Sequence, residues 1–438
     1  MVRSNKGVVR RMKIVAALLA SVSGATTGQA QGIFGDLAGT DLPFSPNRGR
    51  NISVPDRPRP EYQAKGIQTG SFTLFPRVEA GLGYVSNVYS SSINPKGDAY
   101  AFVAPSALLR SDWSRHGLKI AAGAELQRYL SEGSENRTDW FVEGEGRYDI
   151  VGDSNVALIP RIAKTTEPRY SEGFPDDAAE PVSIRTTGAT LRGTYEGSRV
   201  RMIAAASFTK LDYKDVDSLI GGIADQDYRD REVTRFSGRG EYAFTPDTAV
   251  FAQLSHSKIK YDNFTLPLDN RSADENMALA GISLDLSGVL RGTAGLGYVE
   301  RKFDLAAYGK SSGVVADVKV EWFVTELTTV TATAHRFLRD SAVINSPGYF
   351  DNQIGVRVDH ELLRNLILFA QAEYRHDTYQ RIDRTENIAF GGAGARYLLS
   401  PQWELGGRVE YTDRTSKGID RGRNINELRA LASVTWKR

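Results

Sequence analysis

From Phe72 to the C-terminus, apolar and polar residues alternate with period two in segments of about 10 to 16 residues. This pattern sends successive side chains to opposite faces of a strand. Val314, Ala316, Val318, Val320, Trp322 and Val324 form one face of such a segment, and Asp317, Lys319 and Glu321 form the other. The same reading separates Trp140, Val142 and Tyr148 from Glu143, Glu145 and Arg147, and Trp403, Leu405, Val409 and Tyr411 from Glu404, Arg408 and Glu410. Eighteen segments follow, beginning near Phe72, Tyr100, Gly117, Thr138, Asn155, Val182, Val200, Glu232, Ala249, Glu275, Leu290, Gly313, Leu327, Tyr349, Leu366, Thr385, Gln402 and Asn426.

The connections are predicted to alternate without exception between nine long polar loops, such as Ser171 to Pro181 and Lys214 to Asp230, and eight tight turns, such as Gly152 to Ser154 and Ser287 to Gly288. Alternating short and long connections are the mark of an outer-membrane barrel, whose periplasmic turns are short and external loops long. The fold class predicted is all-β: an up-and-down antiparallel transmembrane β-barrel of about eighteen strands, sixteen being the alternative count, with both termini periplasmic. A β-propeller is the competing architecture, but its strands are shorter and its blade motif recurs. Here no motif recurs.

Aromatic positions fit two interfacial belts. Trp140 and Tyr148 lie eight residues apart on the apolar face, as do Trp403 and Tyr411; at about 3.3 Å per residue and about 40° tilt this spans roughly 20 Å. With strand direction taken from the loops, Trp113, Trp322, Trp403 and Trp436 fall at the periplasmic rim.

The N-terminus differs in kind. Arg3, Lys6, Arg10, Arg11 and Lys13, with no acid before Asp36, precede the apolar run Ile14 to Leu19 and a small-x-small site at Gly28-Gln29-Ala30. Residues 1–30 read as a signal peptide, and their five basic residues leave 50 Lys+Arg against 53 Asp+Glu, about −3. That near-neutral balance gives no support to nucleic acid as a partner. Residues 31–70 carry Pro43, Pro46, Pro55, Pro58 and Pro60, which break helix and ladder alike, and read as an irregular periplasmic arm, solvated in preference to inserted in the lumen. Residues 71–438 are the barrel. The 438 residues include no cysteine, so neither disulfides nor thiolate metal sites contribute.

Candidate lumen-lining residues are Glu143, Glu145, Arg147, Arg235, Arg239, Glu241, Asp317, Lys319, Glu321, Glu373, Arg375, Glu404, Arg408 and Glu410. Their mixed sign suits a wet wall of opposed charges and a hydrated permeant, since ion-selective pores favour one sign. Phe141, Phe251, Tyr261, Phe323 and Phe369 lie on the same faces, where rings either pack or stack on sugars. His116, His256, His335, His360 and His376 show no metal-ligand spacing. His256 beside Ser257, and His376 beside Asp377, point to opposite faces of a strand, so no catalytic arrangement, cofactor or metal is expected, and the chain is not read as an enzyme. Gly-x-Gly pairs at Gly81, Gly83, Gly144, Gly146, Gly238, Gly240, Gly295, Gly297, Gly392 and Gly394 lack the following helix that a phosphate loop needs; they are read as sites of bending and close packing.

Leu82-Gly83-Tyr84-Val85-Ser86-Asn87-Val88-Tyr89, Asp98-Ala99-Tyr100 leading to Val103-Ala104-Pro105, and Ser111-Asp112-Trp113-Ser114-Arg115-His116 carry a resemblance. The chain is similar to outer-membrane barrels of the second beta-barrel porin family, over nearly the whole mature chain, with the specific motifs confined to about residues 80 to 130. The resemblance implies a single Gram-negative outer-membrane barrel linked with exopolysaccharide production or export, and no catalytic residues. Many such barrels end on an aromatic; here Lys437 and Arg438 follow Trp436. The function expected is a pore exporting an exopolysaccharide or another hydrated carbohydrate, with a passive porin or a structural or adhesive barrel as alternatives. Its expected partners are outer-membrane lipid and lipopolysaccharide, the barrel-assembly machinery, periplasmic polysaccharide-export proteins and the carbohydrate permeant. N-terminal sequencing of the exported protein is predicted to begin at Gln31; a sequence starting at Met1 or Met12 overturns the signal-peptide reading.

Overall fold

A strand that is apolar on one face and charged on the other still carries unpaired backbone groups along both edges, and in a membrane these must be paired by neighbouring strands. The chain achieves this in a ring. The structure, a computed structural model, describes residues 51–262, 270–286 and 288–438. Its long strands are β1 (Phe72–Val85), β2 (Asp98–Ser111), β3 (Gly117–Tyr129), β4 (Arg137–Val151), β5 (Ser154–Thr166), β6 (Ser183–Glu196), β7 (Val200–Tyr213), β8 (Arg231–Thr245) and β9 (Thr248–Tyr261). They continue as β10 (Ala273–Leu286), β11 (Leu290–Phe303), β12 (Lys310–Thr325), β13 (Thr328–Asp340), β14 (Gly348–Leu363), β15 (Leu366–Tyr379), β16 (Thr385–Leu398), β17 (Trp403–Lys417) and β18 (Ile425–Lys437).

Each strand is antiparallel to its neighbours in sequence, and β1 also pairs with β18, from Arg77 opposite Lys437 to Val85 opposite Arg429. The sheet is therefore a closed barrel of eighteen strands, and the ring itself presents no free edge. All eighteen predicted segments are present. The largest offset is at β12, which starts at Lys310 and not Gly313, because Lys310, Ser311 and Ser312 are all polar and show no alternation. The predicted signal peptide, arm residues 31–50 and turn residue Ser287 lie outside the described residues.

One feature of the connections departs from expectation. The loop between Tyr379 and Thr385 is as short as the turn between Ser111 and Gly117, so strand order, and not length alone, tells the two ends of the barrel apart. At the turn end, β4, β8, β12 and β14 each carry a register shift just before the connection, at Asp149/Val151, Ala243/Thr245, Phe323/Thr325 and Glu361/Leu363. The extra residue increases the local twist and lets a two-residue connection reverse the chain. Gly152 supplies the left-handed conformation (φ 57°) that one of these turns requires.

Leu82, Phe236, Leu254, Leu296 and Ile354 stand exposed on the outer face, where lipid covers them. Inside, aromatic rings lie over glycines on the facing strand: Phe102 over Gly81, Tyr100 over Gly83, Phe251 over Gly281 and Phe369 over Gly394. The glycines at 81, 83, 295, 297 and 394 thus make room for close packing, whereas Gly146, Gly238 and Gly240 have no heavy atom near a would-be Cβ. A methyl group on Gly394 would sit 2.5 Å from the Gly407 carbonyl oxygen and 2.6 Å from the Phe369 ring. Gly394→Ala is expected to lower barrel stability by about 1–3 kcal/mol and Gly238→Ala to change it by no more than about 0.5 kcal/mol. Urea unfolding of the refolded barrels checks both.

Candidate functional site: a lumen bridged at the loop end

All fourteen candidate charges sit on the inner face of their strands. In β4, β8, β12 and β15 that face is the odd-numbered one, marked by buried residues such as Arg239, Val315 and Asp377; in β17 it is the even-numbered one, marked by Glu404, Glu410 and Arg414. Glu143 pairs with Arg161 (3.2 Å), Glu145 with Lys119 (3.2 Å), Glu321 with Arg291, and Glu404 with Lys437 (3.0 Å) and Arg396 (3.6 Å). Arg235 donates to Ser257 (2.8 Å), Asp317 lies opposite His335, Glu373 lies opposite Gly355, and Lys319 is exposed.

The remaining pairs show a rule that cross-strand reasoning misses. Arg147 with Asp149 (2.8 Å), Arg239 with Glu241 (2.8 Å), Arg375 with Asp377 (3.1 Å) and Arg408 with Glu410 (3.3 Å) are partners two residues apart on one strand. Arg77 with Glu79 and Arg357 with Asp359 repeat it, Glu427 with Arg429 does so in the reverse order, and Arg384, just before β16, holds Glu386. Residues i and i+2 share a face, so Arg-x-acid is a legible sequence signal for a self-neutralising lumen wall.

The inner rings are engaged by guanidinium groups. Arg239 lies 3.7 Å from the Phe251 centroid, Arg357 4.5 Å from Phe369, Arg271 4.6 Å from Tyr261 and Arg291 5.2 Å from Phe323; Phe141 packs over Gly123. Such contacts stabilise a cation beside an apolar ring, and they occupy faces that a sugar would need. On the outer surface, Trp113, Tyr148, Trp322 and Trp403 are exposed at the turn rim, where Trp436 pairs with Trp403. Tyr411 is exposed nearer the loop end, and Trp140 lies there beside Lys164. His116 sits in a turn with its ring stacked on Tyr148 at 4.4 Å.

Two inward structures obstruct the loop end. Residues 167–182 leave β5 and turn into the lumen. Glu167 pairs with Arg229 (2.6 Å) and Arg169 with Glu135 (2.5 Å). Farther on, the Tyr170 carbonyl accepts from Arg414 (2.6 Å), and Glu172 accepts from the Ala342 amide (3.0 Å) and the Ser341 hydroxyl (3.4 Å). Ala342 follows β13, almost half the ring away from β5, so the loop bridges the pore. The β13–β14 tip bends in to meet it: Asp340 reaches Arg231 (3.1 Å) of β8 and Arg301 of β11. Pro168 lines both cavities beside the bridge, the larger about 400 Å³ and the smaller about 80 Å³.

Residues 51–62 lie along the wall at the turn end, from the β10–β11 turn to β16, a correction to the solvated arm. Val54 is fully buried against Ile367 and Leu398, and its amide donates to Thr329 (3.1 Å). Glu361 of β14 holds Arg57 (3.1 Å) and Arg59 (2.6 Å), while Glu61 pairs with Arg364 (2.8 Å). Asn51 donates to the Gly288 carbonyl and its own carbonyl accepts from Arg291 (3.0 Å). Ile67–Thr69 then pairs with β1. Prolines that deny this segment a ladder of its own leave its polar groups to be met by lumen side chains.

Of the fourteen predicted charges, only Arg235 and Arg375 line the larger cavity; Arg231, Arg271, Arg301, Arg339, Asp351, Asp377 and Glu386 join them there. The strand members of that set were legible from alternation, but nothing in the loop sequence signalled Glu172 or Arg271. Asp215, Asp225 and Asp227 cluster, exposed, in the β7–β8 loop.

A closed barrel with an apolar exterior and an ion-paired lumen is the architecture of an outer-membrane pore. The chain belongs to the family described as Putative beta-barrel porin 2, which matches residues 59–438. No curated protein sequence matches it. Among solved structures it is similar to OpdO of Pseudomonas aeruginosa (13% identity, 86% of this chain and 98% of that one, TM-score 0.48) and OpdK of Pseudomonas aeruginosa with vanillate (12%, 83% and 99%, TM-score 0.48). It is likewise similar to the copper transporter OprC (10%, 85% and 81%, TM-score 0.47).

Burial raises the Glu172 carboxyl above its ordinary value and outweighs the bond from the Ala342 amide that lowers it. The docked loop therefore binds this proton more tightly than the undocked one. Docking gains as pH falls toward the ordinary carboxylate range and loses that gain as pH rises through the docked value. Closed dwell times in planar bilayers are expected to lengthen from pH 8 to pH 5, and Glu172→Gln to flatten that dependence.

Proposed function

We propose that the chain is an occludable outer-membrane conduit for a hydrated carbohydrate, with export of an exopolysaccharide as its specific role. The observation that carries this reading is the bridging of one polar lumen at the loop end by a segment held through ion pairs and hydrogen bonds, with a second segment docked along the turn rim. A wall whose charges cancel within a strand or between neighbouring strands favours hydrated solute over either sign of ion. A permanently open sieve needs neither the bridge at residues 167–174 nor the bar at residues 51–62.

On this reading the turn end and both termini face the periplasm, and the bar is where periplasmic export proteins engage. Displacing it exchanges the contacts of Arg57, Arg59 and Glu61 for contacts with a partner. A second reading is favoured by the 400 Å³ cavity, which suits one small ligand and not a polymer: selective passage of a small solute, with no partner.

Single-channel recording on the mature protein and on a form lacking residues 31–70 tests the proposal. The intact protein is expected to stay closed, and the shortened one to conduct steadily and to be slowed by added oligosaccharide. Large steady conductance from the intact protein would establish a passive porin, and silence in both a structural or adhesive barrel.

A further inference from the structure

Across the inner face of β14, β15 and β16, Asp351, Asp377 and Glu386 stand directly opposite one another. Like charges so placed repel. Glu386 is held by Arg384 (2.5 Å) and Arg414 (2.6 Å), so both flanks of that carboxylate are engaged. Asp351 and Asp377 differ. Arg339 (3.1 Å) and His335 (3.4 Å) pair with Oδ2 of Asp351, and Arg375 (3.1 Å) with Oδ2 of Asp377. Both residues are buried, at 4% and 1% exposure, and Oδ1 of each accepts no hydrogen bond from the protein. Both line the cavity of about 400 Å³ behind the inward loop, together with Tyr170 and Tyr349.

Two buried acceptors without donors, on a wall that also carries the unpartnered Nε groups of Arg229, Arg231 and Arg375, call for a ligand that both donates and accepts. A cation is disfavoured, because seven arginines line the same cavity against six carboxylates. A carboxylate ligand would face the two free Oδ1 atoms and be repelled by them. A neutral polyol meets both conditions, since each hydroxyl donates to a carboxylate and also accepts from a guanidinium. Tyr349, stacked on Tyr379 at 5.0 Å, and Tyr170 supply apolar ring edges beside those polar groups.

We infer that this cavity is a docking subsite for a neutral sugar ring, with Asp351 and Asp377 as its hydroxyl acceptors. The inference rests on the carbohydrate-conduit reading and specifies where within the lumen the permeant is held. Tyr170 belongs to the bridging loop, whose Glu172 holds the β13–β14 tip, so occupancy of the subsite is coupled to the bridge that obstructs the pore.

Saturation-transfer NMR on the full-length protein in detergent micelles reads binding without requiring flow, using D-glucose and acetate as probes. Glucose is expected to bind the parent protein and the exposed-site control Glu300→Gln alike, and about tenfold more weakly to the Asp351→Asn/Asp377→Asn double variant. Acetate is expected to give no signal. The shift in gel mobility on heating confirms that each barrel is folded, and Asp377→Asn alone serves if the double variant is not. Equal glucose binding by parent and variant, no glucose binding by the parent, or stronger binding of acetate each overturns the subsite. Glucose binding lost with conductance intact removes the subsite and leaves the conduit; binding intact with silence in every bilayer removes the conduit and leaves the subsite.

Discussion

Every other feature of this protein depends on the closure of one hydrogen-bonded ring. Inside a membrane, an unpaired backbone amide or carbonyl has no water to turn to, so the outermost strands must find each other. The pairing of β1 with β18 from Arg77 and Lys437 to Val85 and Arg429 joins residues more than three hundred positions apart and leaves none of the long strands at an edge. Once closed, the ring has only two surfaces, and alternation assigns every side chain to lipid or to the lumen.

The lumen inherits a problem from that assignment. Charged side chains crowded into an enclosed space repel or attract strongly, and the chain meets this by placing Arg and an acid two residues apart on single strands, as at Arg147 and Asp149 or Arg408 and Glu410. Local neutralisation of this kind survives any shift between strands, because both partners move together. Some of the same guanidinium groups, Arg239 and Arg357 among them, also lie over aromatic rings, and Phe251 and Phe369 in turn lie over glycines, so charge, ring and glycine pack together on the wall.

Barrels of this circumference enclose an aqueous channel unless chain fills it. Here one piece of chain crosses the lumen and another lies along its turn rim, with different chemistry. The bar at residues 51–62 combines a buried valine with three ion pairs to Glu361 and Arg364. The bridge at residues 167–174 relies on buried arginine–glutamate pairs and on Glu172. Several of these contacts are charged, so a charged partner can exchange with them while the hydrogen-bonded wall stays closed.

The strands, their order, the turn end and the identity of the inner face were determined by the sequence alone, because a period-two pattern acts residue by residue and requires no knowledge of distant contacts. The fourteen lumen charges and the belt residues from Trp113 to Trp436 follow from that local rule. What only the tertiary structure decided is how the lumen is divided. The inward turn of residues 167–182, the meeting of Glu172 with Ala342, the lodging of Val54 beneath Leu398, and the row of Asp351, Asp377 and Glu386 all depend on strands distant in sequence being brought together by closure. Irregular segments have no periodicity to betray their course, and strand register depends on pairings across the whole ring. For that reason the pore was legible in the sequence, whereas its obstructions and its cavity were not.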